Sequence, residues 1–291
     1  MKKEDLLLEA IEKRKEFQKK LEENYKVKNF KYCNSEKQEE IESLEFKKVP
    51  PVLWFGDLNA EKPKVVVISA NPHNPERCIC KEQVWDENNP NIPQLIEDYN
   101  NYFKTDKNSP ATNWFGQNSN EHKAENQARI EDFLNGLGAS FYDKNDEEKY
   151  RYQAIHIDLL PLATTTDFSK IAKNLMEIDG LREFINEHIS ELIKLINPKL
   201  VIVNGVTNKK YFEKCLDKYP IKPKNPEIKN PEMYKSLTVN NKKIYNLRIW
   251  DFDNIEDSKV IAISRNMGTS CRVNKESLYS IGEQERKRLK L

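Results

Sequence analysis

Four apolar runs organise the chain. Val65-Val66-Val67-Ile68 leads into Ser69-Ala70-Asn71-Pro72-His73, and Tyr152-Gln153-Ala154-Ile155-His156-Ile157-Asp158-Leu159-Leu160 is broken by Pro161. Leu200-Val201-Ile202-Val203 ends in Asn204-Gly205, and Lys259-Val260-Ile261-Ala262-Ile263 ends in Ser264-Arg265-Asn266. A β-branched run without a polar face predicts a strand buried on both sides, and crossover helices between such strands predict a parallel sheet. Helical spacing supplies those helices. Ile185, Ile189, Leu192 and Ile196 share one face before Asn197-Pro198 closes the turn, and another helix is expected from about Asn208 to Leu216.

The remaining pattern is less uniform. Residues 4 to about 45 read as a mixed-charge helix with Leu7, Ala10, Phe17 and Leu21 on one face, either a cap on the domain or a partner-binding arm. Pro50-Pro51 marks the entry to the main domain, giving a helical cap over 1–49 and an α/β domain over 50–291. Residues 74–150 are rich in Asn, Pro, Asp and Lys, with helices expected at Ile92 to Phe103 and Asn126 to Leu137. Their aromatics, including Trp85, Tyr99, Tyr102, Phe103, Trp114 and Phe115, suit a pocket wall or a surface excursion. Residues 217–240 read as a Lys/Pro/Asn loop, and the alternation at Tyr245, Leu247 and Ile249 predicts an outer strand. A final helix ends in Arg286-Lys287-Arg288-Leu289-Lys290.

Composition narrows the classes. A net charge of +1 over 291 residues gives no global field toward nucleic acid, so any such binding needs a local patch. Lys170, Lys173, Lys209, Lys210 and the loop from Lys222 to Lys229 are the candidates, beside the plain reading of solvated surface. No apolar run approaches the ~20 residues that span a bilayer. The start, Met1-Lys2-Lys3-Glu4-Asp5, is not that of a secretory signal. Five scattered cysteines, Cys33, Cys78, Cys80, Cys215 and Cys271, then read as reduced thiols of a cytoplasmic protein. Cys78-Ile79-Cys80 is too tight for the usual ligand pair and no second pair follows, so a metal or iron–sulfur site is not expected.

If the sheet is parallel, the polar tips Asn71/His73, Asp158, Asn204 and Arg265/Asn266 share its carboxyl edge, where open α/β sheets place their chemistry. The plain alternative for the first tip is a core strand followed by an Asn-Pro turn.

Those strands, in that order, resemble the uracil-DNA glycosylase superfamily. Ile68-Ser69-Ala70-Asn71-Pro72-His73 is similar to the family's first motif, Gly-x-Asp-Pro or, in its mismatch-specific branch, Gly-x-Asn-Pro. Ile155-His156-Ile157-Asp158-Leu159-Leu160 resembles the strand whose terminal polar residue, usually Asn, reads the base. Asn197-Pro198-Lys199 through Asn204-Gly205 is similar to the family's Pro-Lys hinge and following strand, and Ile261-Ala262-Ile263-Ser264-Arg265-Asn266 occupies the place of the final motif, commonly His-Pro-Ser-Pro. Leu53-Trp54-Phe55-Gly56-Asp57 also recurs in bacterial members. The resemblance runs from about residue 50 to 270 and implies a three-layer sandwich with a central, mainly parallel sheet, preceded here by the helical extension.

It also implies a DNA N-glycosylase without cofactor, whose partner is DNA. Base excision needs a flipped nucleotide, a water at the anomeric carbon and stabilisation of the departing base. Asn71 is the implied water-positioning residue, because an amide holds water but takes no proton. His73 is either the base or a pocket wall. Asp158, Asn204, Arg265 and Asn266 are the implied base-binding set. Two departures bear on the substrate. Ser69 and Ala70 stand where the family usually begins with Gly, and Arg265 or Asn266 stands nearest the place of the last-motif histidine. Arg265 suits either a developing anion or a phosphate. Asp158 only accepts hydrogen bonds, which suits the exocyclic amine of cytosine better than the edge of uracil; the plain reading is a turn cap or a lysine partner. The resemblance extends to glycosylases that remove hypermodified, glucosylated hydroxymethylcytosine from phage DNA, and this is the expected activity. Uracil or mismatch repair, a hydrolase of free modified nucleotides and a non-catalytic nucleic-acid-binding protein are the alternatives.

Overall fold

The computed structural model describes residues 2–25, 30–34, 37–41, 46, 49–70, 86, 88–103, 129–142, 149–164, 173, 176–215, 232–237, 244–255, 257–264, 267 and 273–291. The apolar runs form the strands that their patterning predicts: β3 (Lys64–Ser69), β5 (Tyr152–Asp158), β6 (Leu200–Asn204) and β9 (Ser258–Ile263). With β4 (Ala139–Ser140), β7 (Glu232–Leu237) and β8 (Ile244–Ile255) they build one seven-stranded sheet of order β4-β5-β3-β6-β9-β8-β7. Pairing is parallel from β4 to β9 and antiparallel at β8 and β7. The protein is therefore α/β with a mainly parallel central sheet, an arrangement compatible with three layers.

Burial explains the central position of β3. Val65, Val66, Val67 and Ile68 are all inaccessible to solvent, as their lack of a polar face requires. Each fully buried aliphatic side chain contributes about 1.5–3 kcal/mol relative to exposure. The connection leaving β3 runs toward β4 and β5, whereas that leaving β6 runs toward β9. Beyond the carboxyl ends of β3 and β6 the strand order switches, and there an open sheet leaves a crevice.

Among the described residues, helices α1 (Lys3–Tyr25), α2 (Ile92–Asn100), α3 (residues 129–137), α4 (Leu181–Ile196), α5 (Val206–Cys215) and α6 (Lys275–Leu289) accompany the sheet. Helix α4 ends at Asn197 in a left-handed conformation (φ 46°), whose backbone N–H donates to the Ile193 carbonyl, and Pro198 follows. Asn91 caps α2 by accepting from the Gln94 N–H, and Asn274 caps α6 by accepting from the Ser277 N–H. Helices α3 and α6 cross where Gly136 meets Gly282. A Cβ on Gly136 would fall on the Tyr279 carbonyl, and one on Gly282 on the Phe133 carbonyl, so only glycine permits this approach. Arg288 on α6 then forks onto Asp251 of β8 (Nη2–Oδ1 2.8 Å) and the fully buried Glu285 (Nε–Oε1 3.0 Å).

Two expectations need correction. The N-terminal helix does not continue to residue 45: α1 ends at Tyr25, and β1 (Phe30–Asn34) pairs antiparallel with β2 (Lys37–Ile41), from Phe30↔Ile41 to Asn34↔Lys37. Lys and Glu dominate the whole region and are good helix formers, so pairing overrides their local preference in β2. Within α1, Leu6, Leu7, Ala10, Ile11, Phe17 and Leu21 are buried in the main hydrophobic core, and Phe17 meets Phe184 of α4 at 5.7 Å between ring centroids. The second correction is β7, a strand inside the region read as the 217–240 loop. It pairs with β8 and takes the edge, so β8, expected as an outer strand, lies one place further in.

Candidate functional site

Parallel pairing brings the carboxyl ends of β3, β5, β6 and β9 to one edge. Ser69 stands opposite Asp158, and Asn204 opposite Ile263. Beyond the regular ladder, the Leu159 N–H donates to the Ser69 carbonyl and the Leu160 N–H to the Ala70 carbonyl, both at 3.0 Å. These bonds fix the chain up to the residue before Asn71. Asn71 and His73 themselves lie outside the described residues, as do Arg265, Asn266, Trp85, Trp114, Phe115, Lys170 and the loop from Lys222 to Lys229.

Asp158 is at the tip of β5, 4% exposed, and among the described residues its side-chain partner is His156. His156 stands two positions earlier on the same strand face, and its Nε2 lies 3.2 Å from Asp158 Oδ1. A carboxylate only accepts, so this bond requires the hydrogen on Nε2. The His156 backbone is fixed as well. Its N–H donates to the Phe55 carbonyl (2.9 Å) and its carbonyl accepts from the Phe55 N–H (2.7 Å), because the segment around Phe55 runs antiparallel beside β5 where β4 stops.

Aromatic rings flank His156, and further rings pack behind them. The Phe55 and Phe141 ring centroids lie 6.1 and 6.3 Å from that of His156. Tyr102 stacks on Phe55 at 3.7 Å and 22°, and Phe103 stacks on Phe141 at 4.6 Å and 22°. Tyr142 meets Phe103 edge-on at 5.7 Å. Tyr102 and Tyr142 are half-buried, whereas Phe55, Phe103 and Phe141 are buried. Burial, with the nearby Glu131 carboxylate, pushes the Tyr142 phenol above its ordinary value and keeps it neutral.

The wall is held by polar clamps behind it. Glu131 of α3 accepts from the Ser140 hydroxyl (2.6 Å) and the Phe141 N–H (3.1 Å), while Gln153 donates to the Phe141 carbonyl (3.0 Å). Trp54 Nε1 and the Leu58 N–H both donate to Asn100 Oδ1, tying the segment before β3 to α2.

Asn204, 4% exposed at the tip of β6, accepts at Oδ1 from the Met267 N–H (2.9 Å). Its carbonyl accepts from Asn208 Nδ2 (2.6 Å), and Gly205 turns the chain into α5 at φ 104°. Asn204 thus anchors the segment after β9, fixing the residue that follows Asn266. Among the expected phosphate contacts, Lys209 is engaged within the fold. Its ammonium pairs with Glu213 (2.8 Å) and lies 5.2 and 5.3 Å from the Trp250 and Phe252 ring centroids.

Sequence reasoning named Asp158 and Asn204 but passed over His156, Phe55, Phe141 and Tyr142. His156 sat inside an apolar run and read as core, although a His-x-Asp spacing on a strand puts both side chains on one face. Among the described residues, no group of three or more His, Cys, Asp or Glu side chains is placed to hold a metal ion, and no helix is long and apolar enough to cross a membrane. Compared with models of known protein families and with curated proteins, the chain matches none.

Proposed function

We propose that this protein is a DNA glycosylase of the uracil-DNA glycosylase type, acting on a flipped, hypermodified cytosine such as glucosylated hydroxymethylcytosine in phage DNA. The observation that carries the reading is the Asp158–His156 pair at the carboxyl edge of the parallel sheet, inside a wall of aromatic rings. The pair offers an acceptor for an exocyclic amine, and the half-buried rings of Tyr102 and Tyr142 belong to an aromatic wall of the kind on which bases stack. Apolar walls around one oriented polar group are the chemistry that recognises a flipped base.

In this reading a water held by Asn71 attacks the anomeric carbon. Its oxygen forms the new bond as the bond to the base nitrogen breaks, and the base departs with the bonding pair. The proton lost from water passes to His73 or to solvent, and the Arg265 charge offsets that of the departing base. Asn71, His73 and Arg265 carry these roles from their motif positions. Asp158 holds the base while this happens, Asn204 stands at the same carboxyl edge at the tip of β6, and Asn266 enters from its motif position.

The experiment incubates the protein separately with DNA containing glucosylated hydroxymethylcytosine and with uracil DNA, then cleaves abasic sites with alkali. Breakage of the glucosylated substrate supports the reading. Breakage of the uracil substrate alone assigns the protein to repair instead, and breakage of neither removes the glycosylase reading.

A further inference from the structure

We propose that His156 is a positioning residue that sets base preference by orienting Asp158; this rests on the glycosylase reading above. Three observations converge on it. First, Nε2 lies 3.2 Å from Asp158 Oδ1. Tethering one oxygen fixes the plane of the carboxylate and therefore the direction of the other oxygen. Among the described residues His156 is the side chain that bonds this carboxylate. Second, the ring is held from outside the pair. Phe55 and Phe141 contact it, and Phe55 also takes both His156 backbone hydrogen bonds. The imidazole is thus fixed in orientation as well as in position. Third, the pair is almost enclosed, with His156 8% and Asp158 4% exposed. In so dry a setting a hydrogen bond is electrostatically stronger than in water, and an untethered carboxylate would turn toward whatever donor it finds.

The consequence is a discrimination rule. A carboxylate held as an acceptor favours a pyrimidine with an amine at position 4 and disfavours one with a carbonyl there, because two acceptors then face each other. A hydrophobic contact at position 4 could not do this, since amine and carbonyl are nearly the same size. His156 is expected to act on the ratio between the two bases and not on bond cleavage itself.

The test uses the full chain and two DNA probes that differ only at position 4: glucosylated 5-hydroxymethylcytosine and glucosylated 5-hydroxymethyluracil. Single-turnover excision is measured against enzyme concentration for the wild type, His156→Phe, His156→Asn and His156→Gln. The wild type should prefer the cytosine probe. His156→Phe and His156→Asn should lose at least tenfold of that preference, mostly as weaker half-saturation on the cytosine probe. His156→Gln, whose Nε2 donor reaches a similar place, should stay within about threefold of the wild type. Thermal melting identifies any variant that fails to fold, and His156→Asn keeps the comparison open if the phenylalanine variant is lost. If folded His156→Phe or His156→Asn keeps the wild-type preference, or slows both probes equally, the positioning role is wrong while the glycosylase reading stands. If the wild type excises neither probe, both fall together.

Discussion

Asp158 and His156 occupy alternate positions of one strand and are joined by a 3.2 Å hydrogen bond at the sheet's carboxyl edge. Ala154, Ile155 and Ile157 of the same strand are apolar and fully buried, so a carboxylate and an imidazole here carry a desolvation cost that packing alone does not explain. Exchanging the acceptor for an amide is the direct probe. Asp158→Asn should lower kcat/KM on glucosylated-cytosine DNA by 10–100-fold, in line with about 1–3 kcal/mol for one base-edge contact, and should raise relative activity on uracil DNA.

The stacked Tyr102 and Phe55 predict a binding effect separable from chemistry. Tyr102→Ala should raise KM about tenfold or more, corresponding to roughly 1–3 kcal/mol for one base stack, with a smaller change in kcat. Tyr102→Phe should behave like the wild type, because stacking needs the ring and not the hydroxyl. Steady-state kinetics on one substrate separates these outcomes.

The crossing of α3 and α6 predicts a stability effect with no catalytic content. A methyl group at Gly282 meets the Phe133 carbonyl, and backbone cannot move aside as a side chain can. Gly282→Ala should cost about 3 kcal/mol, the upper part of the usual overpacking range, read as a lower urea midpoint at unchanged m-value. Exposed glycine-to-alanine changes in helices usually stabilise, so the sign itself is diagnostic.

His188 on α4 is buried and stacks on Phe184 at 5.6 Å, and among the described residues its Nε2 has no hydrogen-bond partner. Loss of hydration lowers its pKa to about 3 from the ordinary 6.5. The folded state therefore stays neutral where the unfolded chain takes up a proton. Stability should fall as pH drops from about 6.5 toward 3, by at most about 1.4 kcal/mol per pH unit from this group. His188→Phe removes that contribution, so the difference in melting temperature between variant and wild type should widen in favour of the variant below pH 6. A constant difference across pH would show that His188 titrates alike in both states.

Much of the scaffold was legible because its signals are local. Val65 to Ile68 and Leu200 to Val203 have no polar face to place anywhere but inside, and Ile185, Ile189, Leu192 and Ile196 repeat at the helical period. The β1–β2 hairpin and β7 were not legible, because Lys37-Gln38-Glu39-Glu40-Ile41 and Glu232 to Leu237 are polar or mixed segments that become strands by pairing with their chain neighbours β1 and β8. Sequence order was enough to bring Asp158 and Asn204 to one edge. It did not indicate that Asn204 is bonded to Met267, or that Phe55 and Phe141 flank His156 with Tyr102 stacked on Phe55, since these contacts join segments far apart in the chain.

The measurement that bears most directly on the account is identification of the free base released from DNA carrying glucosylated hydroxymethylcytosine. Mass spectrometry of the small-molecule fraction should detect the intact glucosylated base, with one abasic site formed per base released and no release by Asn71→Ala. Release of uracil alone from a mixed substrate, or equal release by Asn71→Ala, would contradict it.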